Sequence, residues 1–271
     1  MLGAARTARK RMLPAILQAG QTITAIASRD PAKVAEFQKE FGIPRGYSWA
    51  DAHQMLESPA IDAVYIALPN AMHAEWTMRA LAAGKNVLCE KPMALTVAEA
   101  DRIAAASGGR VVMENFSYRV RQPVAPIASI DAHFSFQATE EHRVRYSREL
   151  GGGSFLDLGC YGVDFVHRLL DCQMEITSVE ASTKGSVDES CTVQGRAAGV
   201  EILITSSFAQ PPRQEFLLGF ADGSQQRIER ADDTIALLQK FAAMSHADPA
   251  DAIRWRRNSA VYQEVLARMQ Y

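Results

Sequence analysis

Through its first half the chain alternates short, continuous apolar runs with stretches whose apolar residues recur at helical spacing. Thr22 to Ser28, Ala63 to Leu68, Asn86 to Cys89 and Val111 to Glu114 have the length and composition of buried strands. The helical patterns between them have recognisable ends. One starts at Asp30-Pro31 and stops at Gly42, another runs from Ala71 to Ala83 and stops at Gly84, and a third opens on Thr96-x-x-Glu99 and runs out at Gly108-Gly109. Ser48 to Asp51 caps one more helix, and a further helical pattern follows Gly3 and ends at Gly20. Strands alternating with helices in this way predict parallel βαβ units, that is, a Rossmann-type sheet. Such a sheet needs a strand before Gly3, where only Met1 and Leu2 stand, so the first strand is expected to be very short or cut off.

After Tyr118 the rhythm changes. Ile130 to Gln137, Cys191 to Arg196, Val200 to Phe208, Glu215 to Phe220 and Gln225 to Arg230 read as strands, with hairpin chemistry at Ala197-Ala198-Gly199 and at Ala221 to Ser224. Helical patterns at about Asp233 to Met244 and Ala250 to Met269 follow. The expected fold class is α/β: an N-terminal Rossmann-type parallel sheet over residues 1–118, then a C-terminal α+β domain with a mainly antiparallel sheet over residues 119–271. An antiparallel sheet of this kind offers one face to a partner, which predicts a homodimer or homotetramer through it.

Composition narrows the function classes. A net charge of −2 across 271 residues gives no electrostatic footprint for nucleic acid or an anionic membrane. The basic run Arg6 to Arg11 lies on the predicted first helix. Four scattered cysteines without a C-x-x-C pair indicate neither a zinc site nor a disulfide framework, and so a reducing, cytoplasmic setting is expected. No apolar run approaches the length of a membrane span.

In open α/β sheets ligands collect beyond the carboxyl ends of the strands, so the residues standing there are the candidates. Gly3-Ala4-Ala5-Arg6-Thr7-Ala8 reads as a softened dinucleotide fingerprint, G-x-A-x-x-A, whose N–H groups at a helix start would approach a pyrophosphate. Ser28 and Arg29 stand where the adenosine ribose is discriminated. A hydroxyl and a guanidinium suit a 2′-phosphate, which predicts NADP, with NAD the alternative. Leu68-Pro69-Asn70 ends the next strand, with His73 just beyond, and Glu90-Lys91-Pro92 ends the one after. Pro92 keeps Lys91 extended. In the second half Gly151-Gly152-Gly153 permits a tight loop, and Asp157, Tyr161 and Asp164 follow at helical spacing, on one face. Arg119, Arg145 and Arg148 lie in the segments leading to that loop. On the residues alone, Lys91 also reads as a surface lysine in a turn, and Tyr161 as a core tyrosine with a satisfied hydroxyl.

Pro69-Asn70-x-x-His73-x-Glu75, followed by Ala83-Gly84-Lys85-x-Val87-Leu88-Cys89-Glu90-Lys91-Pro92, resembles the glucose–fructose oxidoreductase / inositol dehydrogenase (Gfo/Idh/MocA) family. Leu2 to Ala8 is similar to the cofactor loop of its dihydrodiol dehydrogenase and xylose dehydrogenase branch. The family's second signature, G-G-x-x-x-D-x-G-x-(H/Y)-x-x-D, is matched from Gly152 to Asp164, with Tyr161 where many members have histidine. The resemblance implies an NAD(P)-dependent oxidoreductase that moves a hydride between nicotinamide and a carbinol or carbonyl carbon of a sugar, cyclic polyol or dihydrodiol. It implies that Gly3, Ala5, Arg6, Thr7, Ser28, Arg29, Leu68, Pro69, Asn70, His73, Glu90 and Lys91 hold the cofactor. Tyr161 would give and take the proton, with Lys91 its electrostatic partner and Glu90 holding the Lys91 ammonium. Asp157, Arg119 and Asp164 would, with Lys91 and Tyr161, contact the substrate. Two departures stand out: Gln122 to Ser129 is too proline-interrupted for the helix most relatives carry there, which predicts a more open pocket, and Asn86 stands where histidine is frequent. The alternative is a non-catalytic dinucleotide-binding regulator of the same fold. Retention of the tyrosine and lysine favours the enzyme.

Overall fold

A computed structural model of the chain describes residues 1–118, 125–229 and 233–269. The first half folds as α1 (Leu13–Gln18), β1 (Ala25–Ser28), α2 (Pro31–Phe41), β2 (Arg45–Ser48), α3 (Ala52–Glu57), β3 (Ala63–Ile66), α4 (His73–Ala82), β4 (Asn86–Cys89), α5 (Val97–Ala106) and β5 (Val112–Glu114). β1 pairs in parallel with β2, and β3 with β4 and β4 with β5 likewise. A single residue closes the gap between the two groups. Leu2 bridges Ala27 on one side and Ile66 on the other, its N–H donating to the Tyr65 carbonyl at 2.9 Å and its own carbonyl accepting from the Ala67 N–H at 2.9 Å. Leu2 is fully buried there, at the centre of the sheet.

The capping signals act as their chemistry dictates. Asp30 accepts from the N–H groups of Ala32 and Lys33 at 3.0 and 3.3 Å, and Thr96 and Glu99 form a reciprocal capping box. β2 was not legible as a strand: Arg45-Gly46-Tyr47-Ser48 is polar and largely exposed at the sheet edge. Alternate residues of the strands face opposite layers. Ala27, Ile66, Val87 and Val112 pack under α3, α4 and α5, whereas Ile26, Tyr65, Leu88 and Met113 pack under the first helix and α2.

The second half comprises β6 (Ile127–Gln137), α6 (Cys160–Leu170), β7 (Glu175–Lys184), β8 (Val187–Ala197), β9 (Val200–Ser207), β10 (Ala209–Phe220), β11 (Gln225–Glu229), α7 (Thr234–Ala243) and α8 (Pro249–Arg268). Its sheet runs β11-β10-β6-β9-β8-β7, antiparallel except for the parallel pair β6–β9. β7 is the other unanticipated strand, again a mostly exposed edge. One face is covered by α6 and α8 over a core of Phe134, Phe155, Phe165, Phe216 and Tyr262. The last two helices reach back to the first sheet: Leu238 of α7 joins the layer under the first helix and Trp255 of α8 the opposite layer. Among the described residues no helix is long and apolar enough to cross a membrane.

The start of α6 is anchored by a buried acid that the sequence does not advertise. Asp188, fully buried on β8, accepts from the Ser154 hydroxyl and from the Phe155 N–H, both at 2.7 Å. Gly153 adopts φ +112°, and a Cβ there would stand 2.2 Å from Asp188 Oδ1, so only glycine lets the loop approach. Removing the carboxylate takes the acceptor from the buried Phe155 N–H and leaves the Ser154 hydroxyl only its contacts to Ser206. Asp188→Ala is expected to cost about 2–3 kcal/mol, read as a lower urea midpoint at unchanged m.

Candidate active site

A cleft of about 700 Å³ runs along the carboxyl ends of the first sheet and opens between it and the start of α6. That volume is in the range of sites that hold a cofactor or a drug-sized ligand. Its floor at one end is the loop Gly3 to Thr7. Gly3 sits at φ +90°, and a Cβ would meet the Ala67 carbonyl oxygen at 2.3 Å, so this backbone can lie against the end of β3 only as glycine. The chain turns helical from residue 6, with a π turn over Ala8–Met12 before α1. Ser28, Arg29 and Lys33 line the same end of the cleft. A bare backbone cradle at a helix start, flanked by a hydroxyl and cations, fits a dinucleotide pyrophosphate and a ribose phosphate.

Leu68, Pro69 and Asn70 line the middle of the cleft. Asn70 also spans it, its Nδ2 donating to the Gly151 carbonyl at 2.8 Å and so tying the end of β3 to the glycine loop. His73 is fully buried behind this wall, and each ring nitrogen lies 2.8 Å from a carbonyl oxygen, one of Pro92 and one of Leu68. It therefore braces the two strand-end loops, and burial holds its pKa below the ordinary imidazole value.

The far end of the cleft gathers Lys91, Asp157 and Tyr161. Lys91 donates to the Asp157 carbonyl at 2.6 Å and to Asp157 Oδ1 at 3.1 Å, and its ammonium lies 4.9 Å from the centre of the Tyr161 ring. Arg145 donates through Nε to the other carboxylate oxygen at 2.6 Å. Burial alone would neutralise these groups. It is outweighed: Asp157 and Tyr161 raise the Lys91 pKa above its ordinary value, and Lys91 and Arg145 hold the Asp157 carboxyl well below the usual carboxylate range. Two cations around one carboxylate leave one net positive charge beside the tyrosine. The Tyr161 ring is itself fixed, stacked on Phe134 at 5.1 Å and met edge-on by Phe116 at 5.5 Å.

Two expectations change. Glu90 does not hold the Lys91 ammonium. Its Oε1 accepts from the Tyr65 hydroxyl at 2.6 Å and from Asn115 Nδ2 at 2.7 Å. Asp164 does not face the cleft. It is fully buried between α6 and α8, accepting from Tyr118 Oη and Arg168 Nε, each at 2.5 Å, and from Asn258 Nδ2 at 3.1 Å, with Arg254 paired at 3.2 Å. Burial would raise its pKa, but Arg168 and Arg254 keep it below the ordinary value. Asp157 lines the cleft, one carboxylate oxygen accepting from Lys91 and the other from Arg145. Arg119 lies outside the described residues. Arg148 is exposed on the loop before Gly151.

Beneath this site Glu114 is buried at the end of β5, accepting from the Met93 N–H at 2.8 Å. Burial first, then the nearby Asp164 charge, pushes its carboxyl up to about 8. The folded chain thus keeps a proton that the unfolded chain releases at the ordinary carboxylate pKa. The stabilisation is complete below about pH 4.5 and is lost as pH rises towards about 8. Glu114→Gln, which retains the acceptor and cannot ionise, is expected to gain a few kcal/mol relative to the parent chain between about pH 5 and pH 8. Urea midpoints of both proteins at the two pH values check this.

Known proteins place the chain among relatives with related chemistry. Residues 1–116 match the oxidoreductase family with an NAD-binding Rossmann fold, and residues 124–243 match the GFO/IDH/MocA C-terminal domain. A D-xylose 1-dehydrogenase (NADP(+)) of Haloferax volcanii is 32% identical over 288 residues, covering 94% of this chain and 85% of its own. A dTDP-3,4-didehydro-2,6-dideoxy-alpha-D-glucose 3-reductase of Actinomadura kijaniata is 34% identical over 212 residues, covering 73% of this chain and 62% of its own. The crystal structure of KijD10, a 3-ketoreductase from Actinomadura kijaniata, in complex with NADP and TDP-benzene, superposes with a TM-score of 0.86 at 23% identity, covering 98% of this chain and 95% of that one. By sequence over both halves and by fold throughout, the chain belongs to the Gfo/Idh/MocA family of oxidoreductases, whose N-terminal unit is an NAD-binding Rossmann fold.

Proposed function

We propose that the chain is an NADP(H)-dependent oxidoreductase acting on a carbinol or carbonyl carbon of a sugar or sugar-derived ring, with Tyr161 as proton donor and acceptor and Lys91 as its electrostatic partner. The observation that carries this reading is the placement of the Lys91 ammonium 4.9 Å from the Tyr161 ring centre, in one cleft with the Gly3 to Thr7 loop. Gly3, Ala5, Arg6 and Thr7 would hold the pyrophosphate, and Ser28 and Arg29, with Lys33, the 2′-phosphate. Leu68, Pro69 and Asn70 form the wall between the two ends, with His73 bracing it from behind. When bound, the nicotinamide supplies or accepts the hydride.

A phenol with a pKa near 10 in water gives and takes protons usefully at neutral pH only when its anion is stabilised. Lys91 does this and also polarises the substrate oxygen. Asp157 keeps the lysine charged and aimed, and Arg145 offsets the acid, so the pair is not quenched. The names of the relatives extend the substrate range from free sugars to sugar nucleotides. The exposed face of the second sheet is the surface through which a homodimer or homotetramer would form, and a cytoplasmic setting suits an enzyme using NADPH.

The test is to mix the purified protein with NADPH or NADP and a panel of aldoses, keto-sugars, cyclic polyols, dihydrodiols and sugar nucleotides, following absorbance of the reduced cofactor. Turnover with at least one sugar-like compound is expected, with NADP(H) bound more tightly than NAD(H). Tight cofactor binding with no turnover across the panel would favour the regulator instead.

A further inference from the structure

Three adjacent strands of the first sheet each send one polar side chain to the same stretch of the cleft: Tyr65 from β3, Glu90 just beyond β4 and Asn115 just beyond β5. They form a row, with the Tyr65 hydroxyl and Asn115 Nδ2 both donating to Glu90 Oε1. The row fixes the orientation of the Asn115 amide. With its nitrogen committed to a carboxylate, its oxygen must face the other way. That oxygen, Oδ1, is buried and has no hydrogen-bond partner, and Asn115 is only 8% exposed. Of the buried side-chain polar atoms without a partner among the described residues, it is the one that belongs to a residue lining the cleft. A buried acceptor left empty is costly, so a site that keeps one is shaped for a donor that arrives with a ligand.

Resting on the cofactor reading above, we infer that Asn115 Oδ1 accepts an N–H of the nicotinamide carboxamide, making Asn115 the residue that fixes which way the ring lies. The row stands at the carboxyl ends of β3, β4 and β5, immediately beside Lys91, where the redox end of the cofactor must lie if the Gly3 to Thr7 loop takes the pyrophosphate. A primary amide presents two N–H donors. Asn115 Oδ1 receives one, and the neighbouring Glu90 carboxylate keeps the asparagine from rotating to offer its own N–H instead.

The test uses the whole chain without substrate and reads Kd by titration calorimetry for NADP and for its 3-acetylpyridine analogue, which replaces the amide NH₂ by a methyl group. The parent chain is expected to bind NADP at least about tenfold more tightly than the analogue, because the analogue leaves the acceptor empty. In Asn115→Ala that preference is expected to fall to near unity, with NADP weakened and the analogue little changed. Equal Kd values for the two dinucleotides in the parent chain would overturn the assignment, and this measurement needs no variant to fold. A preference undiminished in Asn115→Ala would overturn it too. No preference in the parent chain, but a KM for the sugar substrate raised about tenfold in Asn115→Ala, would mean that the donor is a substrate hydroxyl, and would overturn the carboxamide assignment. Failure of the parent chain to bind either dinucleotide would sink the cofactor reading itself along with it.

Discussion

Tyr161→Phe is expected to lower kcat by about 10²–10⁴-fold while leaving the Kd for NADPH within about twofold. The ring makes the packing contacts, on Phe134 and Phe116, and the substitution keeps the ring. What is lost is the hydroxyl. Because stacking and burial are retained, the melting temperature should barely move, which separates a lost proton carrier from a damaged core. Were Tyr161 simply a core tyrosine, kcat would be untouched and any effect would appear in stability. Stopped-flow measurement of cofactor absorbance, beside a thermal melt of each protein, reads both.

Lys91→Met is expected to be nearly as severe, about 10²–10³-fold in kcat, but with a different signature. The methionine fills the space of the lysine stem and removes the charge. Tyr161 then loses the cation that stabilises its anion, so the pH at which turnover rises should move upward. Asp157 loses one of its two cations while keeping Arg145. In the parent chain the depressed carboxyl contributes stability above the ordinary carboxylate range and loses it as pH falls through the depressed pKa. Lys91→Met should therefore unfold more readily, by about 1–3 kcal/mol at neutral pH, and the stability lost on acidification should be smaller and its loss complete at a higher pH than in the parent chain. Cofactor titration and acid-unfolding curves on the same preparation separate the two consequences.

The main lines of the fold are legible because they rest on periodicity. Buried strands such as Ala63–Ile66 and Asn86–Cys89 are continuous apolar runs, and the ends of helices are written in Asp30, Thr96 and Gly42. Edge strands are not, since β2 and β7 have little to bury. The glycine loop and the lysine were each visible as ends of elements, but nothing local says that Lys91 and Tyr161 meet across the cleft. That came from the resemblance to a family.

Asp164 was misplaced for a physical reason. The spacing Asp157, Tyr161, Asp164 puts all three on one face only if the helix is regular, and Phe155–Gly159 forms a π turn. The extra residue in that turn re-aims Asp157, and Asp164 ends up against α8. Glu90 was not legible, because its partners Tyr65 and Asn115 come from the neighbouring strands β3 and β5. Asn115 was within reach, for it stands at the end of β5 where the strand-end rule that singled out Asn70 and Lys91 applies equally. Asp188 was not, because its partners Ser154 and Phe155 are brought to it only by the packing of α6 on the second sheet.

The central claim is that the phenol and the ammonium act on one substrate oxygen as a unit. The measurement that tests it most directly is a double-mutant cycle on the single-turnover rate of hydride transfer, comparing the parent chain, Tyr161→Phe, Lys91→Met and the double variant. If the pair acts as a unit, the double variant is scarcely slower than the worse single variant. Rates that fall by the product of the two single effects would show the two groups working independently, and would contradict the account.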